Sequence, residues 1–192
     1  CSLLGAWIMP IIGEHIGPYK LIRFLGKGAF AEVWHAERTT LLATTNVAVK
    51  IPYDNGIDIE DIRREASLWA SASGHPNVVP IIEANVYDGR TVIVSELAAE
   101  GTLQSLLETN GSLSTQKSLD LAGGILRGLQ FLHSKRISHR DLKPANILLQ
   151  GEVPRLSDFG ISRFLNTDYS IQTVSGTPAY MAPEAFDGVR SA

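Results

Sequence analysis

A short loop in the second half of the sequence concentrates residue types that could carry out chemistry. Residues 139–146, between the apolar residues Ile137 and Ile147, contain five polar or charged side chains, which are His139, Arg140, Asp141, Lys143 and Asn146. A charged loop between buried segments must satisfy its polar groups with one another or with a ligand. The oxygens of Asp141 and Asn146 suit a proton or a hard cation, and the ammonium group of Lys143 suits phosphate. Pro144 excludes an ordinary helix interior, so the loop is either a site or a polar turn that caps two elements.

The composition limits the class of protein. The 192 residues are 44% apolar and 19% charged, as in a globular protein with a substantial core. A net charge of −3 gives no electrostatic reason to expect nucleic acid or an anionic membrane as a partner. The single cysteine, Cys1, excludes an intrachain disulfide and a multi-cysteine zinc site, so we expect a reducing compartment and a cytoplasmic protein.

The first apolar stretch, residues 3–12, lacks the pattern of a membrane span or a signal peptide. It is much shorter than the roughly 20 apolar residues of a membrane-spanning helix, and Pro10 interrupts it. It also lacks a basic flank. We therefore expect an additional strand or an irregular segment that lies on the core.

Residues 19–95 have the pattern of a β-rich region that contains one helix. The helix is predicted at residues 58–72, where apolar residues recur at helical spacing. A turn at Asp88 and Gly89 separates the last two predicted strands. Strands are predicted at residues 19–25, 33–36, 47–51, 78–82 and 91–94.

Two features of this region suggest an anionic ligand. Gly26 and Gly28, between two predicted strands, would let the backbone turn sharply and leave N–H groups for phosphate oxygens, although an ordinary hairpin also fits. Lys50 lies inside an apolar strand and needs an anionic partner, unless its ammonium group reaches solvent at an edge. Glu65 borders the buried face of the predicted helix and could reach Lys50, or it is a solvated charge.

Residues 102–192 have an α-rich pattern after a connector at residues 95–101. A short helix is predicted at residues 102–108 and a long one at 114–134, followed by a short strand at 147–149. Asp158 precedes Phe159 and Gly160 and is either a metal ligand on a flexible turn or part of a simple turn. The hydroxyl-rich residues 161–174 indicate a mobile loop. The predicted apolar face of the long helix consists of Leu119, Ala122, Ile125, Leu126, Leu129 and Leu132.

In their order and spacing, these motifs resemble the catalytic domain of eukaryotic-type serine/threonine protein kinases, from about Tyr19 onward. Each motif is weak alone, but chance agreement of the whole set is negligible. Lys143, and Thr177 between Gly176 and Pro178, resemble the serine/threonine pattern rather than the tyrosine-specific one. The matching residues are Gly26, Gly28, Val47-Ala48-Val49-Lys50, Glu65, His139-Arg140-Asp141, Asn146, Asp158-Phe159-Gly160 and Ala182-Pro183-Glu184.

The resemblance implies an α+β fold of two lobes. A small antiparallel β-sheet lobe with one helix would span residues 19–95, a hinge 96–101, and a mainly helical lobe 102–192. Residues 1–18 form an extension without a match. Because the sequence ends shortly after Glu184, we expect the helical lobe to be incomplete and the apolar face of the long helix to be partly uncovered.

The resemblance also implies ATP and Mg²⁺ as cofactors and proteins with serine or threonine hydroxyls as substrates. Asp141 would orient the substrate hydroxyl and accept its proton, Lys143 would stabilise the transferred phosphoryl group, and Asn146 and Asp158 would bind Mg²⁺. Lys50 would hold the phosphates and pair with Glu65, and Ser95 would be a small gatekeeper. The implied catalytic set is Asp141, Lys143, Asn146, Lys50, Glu65 and Thr177, and the implied nucleotide-binding set is Leu25, Gly26, Lys27, Gly28, Ala29, Phe30, Val33, Ala48, Lys50, Glu96, Ala98, Leu148 and Asp158.

The resemblance also implies a regulatory phosphorylation site. By resemblance, a phosphate on Thr173 would order the loop against Arg140, with Thr167, Ser170 and Ser175 as competing sites. Ala31 occupies the place of a third glycine in the turn, for which we expect a small effect on ATP affinity.

One alternative function is an inactive nucleotide-binding or scaffold protein; the other is a kinase-like enzyme for a small molecule such as an antibiotic or choline.

Overall fold

The structure is a computed structural model that describes residues 9–28, 31–53, 70–159 and 178–180. Most of the helix predicted at residues 58–72 and the loop predicted at 161–174 lie outside these ranges. The sequence-predicted residues outside them are Ala29, Phe30, Glu65, Gly160, Thr173, Thr177, Ala182, Pro183 and Glu184.

The chain divides into two compact units. The first unit comprises Cys1–Ile59 and Ile81–Leu97, and the second comprises Glu60–Pro80 and Ala98–Ala192. A six-stranded sheet builds the first unit, whereas the described part of the second contains two complete α-helices, the helical residues 70–72 and a two-stranded sheet. This organisation confirms the predicted α+β class. The chain passes between the units at Leu97 and Ala98, within the predicted hinge.

The sheet of the first unit is antiparallel throughout, with the strand order β1-β2-β3-β4-β6-β5. The strands predicted at residues 19–25, 33–36, 47–51 and 91–94 are confirmed, and most are longer than predicted because the antiparallel pairing continues beyond their apolar centres. The strands are β1 (His15–Ile16), β2 (Tyr19–Lys27), β3 (Ala31–Thr39), β4 (Thr44–Pro52), β5 (Ile81–Tyr87) and β6 (Arg90–Glu96).

The strand predicted at residues 78–82 is wrong in its position. The strand that pairs with β6 is β5, and Val78 and Val79 belong to the second unit. Val78 forms a parallel bridge with Leu156, and the Val79 N–H donates to the Leu156 carbonyl at 2.9 Å. The turn at Asp88 (φ 51°) and Gly89 (φ 74°) explains the position of β5, because a two-residue hairpin with both residues at positive φ requires its strands to reach the turn.

The helices and short strands of the second unit follow the connector. Helix α1 (Leu103–Asn110) is capped by Thr102, whose Oγ1 accepts from the Ser105 N–H at 3.1 Å. Helix α2 (Thr115–Ser134) begins after its cap Ser114, and strands β7 (Ile147–Gln150) and β8 (Val153–Leu156) form a hairpin. The predicted helices and the strand at residues 147–149 are therefore confirmed. In the described part of the chain, no helix is long and apolar enough to cross a membrane.

Helix α2 packs through a different face from the one predicted. Leu119, Ala122 and Leu126 are exposed, Ile125 and Leu129 are half-buried, and Leu132 is the one buried member of the predicted set. The buried residues are instead Leu121, Gly124, Gly128 and Leu132.

Two glycines explain why α2 packs through this different face, because neighbouring parts of the second unit approach them closely. An added Cβ would lie 2.5 Å from the Pro154 Cγ at Gly124 and 2.7 Å from the Asn77 carbonyl oxygen at Gly128. The helix therefore contacts Asn77 and β8 through backbone rather than through large apolar side chains.

Candidate active site

Two side chains of the charged loop surround the carboxylate of a third. The Lys143 Nζ lies 2.8 Å from the Asp141 Oδ2, and the Asn146 Nδ2 donates to the same oxygen at 2.9 Å. The Asn146 Nδ2 also donates to the Asp141 backbone carbonyl at 2.8 Å. The Asp141 side chain keeps 23% of its surface exposed, so its carboxylate is both oriented by its neighbours and reachable from solvent.

Local backbone geometry produces this arrangement. Lys143 is extended, and Pro144–Asn146 form a single 3-10 turn with Pro144 in its first position, where a missing N–H does no harm. The turn closes as the Asn146 N–H donates to the Lys143 carbonyl at 2.9 Å. Arg140 adopts a left-handed backbone (φ 68°), which is uncommon for a residue with a Cβ and is often found at functional sites. The predicted site loop, rather than a helix, is therefore formed.

Ser157 connects this loop to Asp158. Its backbone N–H and its Oγ both donate to the Asn146 carbonyl oxygen, at 3.0 and 3.1 Å. Asp158, the next residue, has a left-handed backbone (φ 61°), which aspartate tolerates better than most residues. The sequence analysis did not single out Ser157; the available signal was a short polar residue between a buried strand and an aspartate.

His139 lies buried beneath these acidic groups with 3% of its surface exposed. Burial lowers the pKa of His139, and the neighbouring carboxylates of Asp158 and Asp141 oppose the shift without reversing it. Backbone groups of His139 and Ser157 also lie near the ring, yet neither ring nitrogen makes a hydrogen bond of normal geometry within the described residues. We infer that His139 is neutral; like Phe159, it is buried in the interior.

The donor set of Asn146 and Asp158 fits a hard divalent cation. The Asn146 amide uses its nitrogen for both bonds to Asp141, which assigns the nitrogen to that side and leaves its carbonyl oxygen out of those bonds. Asp158 supplies a carboxylate, and it directly follows Ser157, which is hydrogen-bonded to the Asn146 carbonyl. Mg²⁺ is typically bound by one or two carboxylates together with phosphate oxygens, so these residue types suit it.

In the first unit, strand register places predicted ligand-binding residues on one face of the sheet. Val33 pairs with Lys50, and Lys50 with Ile93, so these three share a face. In the neighbouring row, Ala48 pairs with Ser95 and lies on the same face as Lys50, two residues away. The alternate residues of β3, β4 and β6 form the core, which includes Trp34, Ala36, Val47, Val49, Ile51, Val92 and Val94.

The glycine turn differs in one respect from the prediction. The Gly28 N–H donates to the Ala31 carbonyl at 2.8 Å, so this amide is used within the hairpin and is not left for a ligand. Among the residues that the structure describes, a Cβ at Gly26 would meet no atom within 4 Å, and one at Gly28 would meet the Ala31 oxygen at 3.9 Å. Packing within this part of the structure therefore does not require glycine at either position, whereas the close approach of a ligand would.

The remaining predicted residues are divided between the units. Leu25 (39% exposed), in β2, and Glu96, at the end of β6, belong to the first unit. Ala98 belongs to the second, as does Leu148, which pairs with Arg155 and bridges Thr102. Lys27, beside Gly28, is exposed.

Comparison with known proteins assigns these features to a family. The family model described as "Protein kinase domain" matches residues 19–191. The chain is 35% identical over 177 residues to the serine/threonine-protein kinase SIK1 of Rattus norvegicus, covering 90% of this chain and 22% of that protein. It is 32% identical over 185 residues to the serine/threonine-protein kinase PknD of Mycobacterium tuberculosis, covering 94% of this chain and 28% of that protein.

A third relative is a probable myosin light chain kinase of Dictyostelium discoideum, 33% identical over 177 residues, with coverage of 88% of this chain and 50% of that protein. The chain thus spans half or less of the length of these curated relatives. The family match covers both units that carry the predicted motifs. The chain belongs to the protein kinase domain family.

Proposed function

We propose that this chain is the catalytic domain of a serine/threonine protein kinase that transfers the γ-phosphoryl group of ATP to hydroxyl groups of protein substrates. The observation that carries the proposal is the network around Asp141, in which Lys143 and Asn146 bind one carboxylate oxygen. Relatives named serine/threonine-protein kinases support the assignment. The lone cysteine agrees with work in the cytoplasm.

The chemistry assigned to the loop is proton transfer and charge stabilisation. The substrate hydroxyl donates to the Asp141 carboxylate, which Lys143 and Asn146 hold in place. As the hydroxyl oxygen bonds to the γ-phosphorus, its proton passes to Asp141 and the bond from phosphorus to the β,γ-bridging oxygen breaks, which releases ADP. The Lys143 ammonium stabilises the negative charge on the transferred group.

The resemblance to the family assigns the cation and the nucleotide to separate sets of residues. Asn146 and Asp158 would hold Mg²⁺, which when bound would neutralise charge on the phosphates. Lys50 would bind the phosphates, and the backbone of Glu96 and Ala98 would bind the edge of the adenine. The apolar residues proposed to surround the adenine are Leu25, Val33, Ala48 and Leu148.

Replacement of Gly26 by alanine separates ligand binding from folding. The added methyl group meets no atom of the described residues within 4 Å, so the melting temperature without ATP should not fall. A phosphate that approaches the backbone closely would contact the methyl group, and we expect the Kd for ATP to rise by about tenfold, which corresponds to about 1.4 kcal/mol. Titration of both proteins with ATP, beside melting curves without ligand, tests this; an unchanged Kd would remove Gly26 from the binding site.

The proposed reaction itself is tested by transfer of γ-labelled phosphate from Mg-ATP to a generic protein substrate, followed by acid hydrolysis. We expect phosphoserine and phosphothreonine but no phosphotyrosine. Nucleotide binding without transfer would favour the scaffold alternative. Transfer to a small hydroxylated molecule, and not to protein, would favour the small-molecule alternative.

A further inference from the structure

A half-buried carboxylate links two strands that are not neighbours in the sheet of the first unit. Tyr19 lies on β2 and Glu83 on β5, with three strands between them in the sheet order. The Tyr19 hydroxyl nevertheless donates to the Glu83 Oε2 at 2.6 Å. The Tyr87 hydroxyl donates to the Glu83 Oε1, and the two tyrosine rings meet edge to face with centroids 6.3 Å apart. We call Tyr19, Glu83 and Tyr87 the Glu83 clasp.

The segment before β2 is attached to the same strands. The Glu14 carboxylate accepts from the Arg90 Nη1 at 2.7 Å and from the Ile11 N–H at 2.9 Å. Gly17 lies against the Tyr87 ring so closely that a Cβ there would be 2.5 Å from it. Residues 11–18, for which sequence reasoning found no role, therefore hold the start of β2 against β5 and β6.

The bonds within the clasp are charge-assisted. Tyr19 is fully buried, and its burial, together with the neighbouring Glu83 carboxylate, raises its pKa. Burial alone would raise the pKa of Glu83, but the hydrogen bonds from Tyr19 and Tyr87 outweigh it and lower that pKa. Glu83 is therefore an ionised acceptor at neutral pH, and such bonds are shorter and stronger than neutral ones.

The clasp holds one end of the strand whose other end is the glycine turn. Strand β2 pairs with β3 along its length, whereas β1 covers only Tyr19 and Lys20 on its other edge. Two register shifts, between Leu21 and Arg23 and between Phe24 and Gly26, interrupt the pairing with β3. Beyond Leu21, β3 is the one described strand that pairs with β2, and the two irregularities weaken that pairing, so the anchored end of β2 has a large influence on its direction.

We propose that the Glu83 clasp positions β2, and through it the turn at Gly26 and Gly28, for phosphate binding. The inference rests on the proposed function for its effect on catalysis. Tyr19, Glu83 and Tyr87 are positioning residues, because they act through roughly 20 Å of strand and touch neither substrate nor nucleotide.

Replacement of Tyr19 by phenylalanine tests the proposal, since it removes the donor hydroxyl and keeps the ring in the core. We expect the KM for ATP to rise by about fivefold or more, the lower range of coupling between sites in proteins, with little change in kcat. We also expect faster amide hydrogen exchange at residues 24–28 without ATP. Glu83→Gln keeps an acceptor for the Tyr19 hydroxyl, so its KM for ATP and its exchange at residues 24–28 should stay close to the wild-type values, whereas those of Glu83→Ala should not.

A destabilised control separates positioning from stability. Val49→Ala creates a cavity in the same core and leaves the clasp intact, so it should lower the melting temperature without changing exchange at residues 24–28 or the KM for ATP. Equal exchange at residues 24–28 in Tyr19→Phe and Val49→Ala would overturn the proposal. If Tyr19→Phe does not fold, Tyr87→Phe takes its place in the same comparison. A wild-type protein without phosphate transfer would contradict the proposed function alone, because the exchange comparison still decides the clasp.

Discussion

Replacement of Asp141 by asparagine is expected to lower kcat for phosphate transfer by about 10²- to 10⁴-fold, the range that a positioned general base contributes. Asparagine has nearly the same shape but cannot accept the substrate proton. It also removes the charge that the Lys143 ammonium contacts at 2.8 Å. The affinity for ATP should change much less than kcat, because Asp141 is assigned to the hydroxyl substrate and not to the nucleotide. Steady-state kinetics with a protein substrate, beside ATP titration, measures both quantities.

A matched control for this variant is Glu152→Gln, also in the second unit. Glu152 is strongly exposed and lies 3.6 Å from Lys117, a geometry that contributes little to stability. Like Asp141→Asn, this variant removes one negative charge, but it should retain the wild-type kcat. If Asp141→Asn retained more than about a tenth of the wild-type kcat, general-base catalysis by Asp141 would be contradicted.

Replacement of Gly128 by alanine is expected to lower the free energy of unfolding by about 2 kcal/mol. The added Cβ would lie 2.7 Å from the Asn77 carbonyl oxygen and 2.9 Å from the Leu156 Cδ1. Overpacking against a backbone group should cost about 3 kcal/mol, the upper part of the usual range. Alanine returns about 1 kcal/mol through its greater helix propensity, which leaves the net loss stated.

The control for this prediction is Gly123→Ala in the same helix. Its Cβ would lie 3.4 Å from the end of the flexible Arg127 side chain, so alanine should stabilise the protein by up to about 1 kcal/mol. Urea unfolding of the two variants gives the comparison. Equal stability of Gly128→Ala and Gly123→Ala would show that α2 does not pack closely on Asn77.

The expected effect of Gly128→Ala extends toward the site. The Asn77 carbonyl accepts from the Leu156 N–H at 2.9 Å, and the Asn77 Nδ2 donates to the Pro154 carbonyl at 2.9 Å. Both partners are in β8, which leads directly to Ser157 and Asp158. Displacement of Asn77 by the added methyl group should therefore also weaken Mg-ATP binding in the fraction that remains folded.

The site loop could be predicted from sequence because its contacts are local. Asp141, Lys143 and Asn146 lie within five residues, and Pro144 restricts the backbone to few conformations. Chemical type and spacing were therefore sufficient to place these side chains together. Strands β3 and β4 were predictable for a similar reason, since the alternating burial at their centres follows directly from the pleat.

The packed face of α2 could not be predicted from hydrophobic periodicity. Gly124 and Gly128 contribute no apolar side chain, so a pattern of large residues overlooks them, yet they allow the closest contacts of the helix. The pattern instead selected Leu119 and Leu126, which are 63% and 64% exposed. Residue types also do not show which part of a run of β-branched residues will pair in a sheet. Val78 lies in such a run but bridges Leu156, whereas the strand that pairs with β6 begins at Ile81.

The Glu83 clasp could not be predicted from the sequence because its partners are distant along the chain. Tyr19 and Glu83 are separated by 64 positions, and neither belongs to a motif. Only the curl of the sheet brings them together. The roles of Glu65, Thr177 and Thr173, with Thr173 assigned to regulation through Arg140, stay predictions, because these three residues lie outside the described ranges.

The most direct test of the central claim is a thermal shift with ATP, measured with and without Mg²⁺, on the wild-type chain and on Asp158→Ala. A ligand that binds only the folded state stabilises it by about 2.7 kcal/mol at one hundred times its Kd. We predict that Mg²⁺ increases the ATP-dependent rise in the wild-type Tm, and that Asp158→Ala loses this increase. The claim that Asn146 and Asp158 form a Mg²⁺-nucleotide site would be contradicted by a wild-type shift that is absent, or by one that Mg²⁺ increases equally in Asp158→Ala.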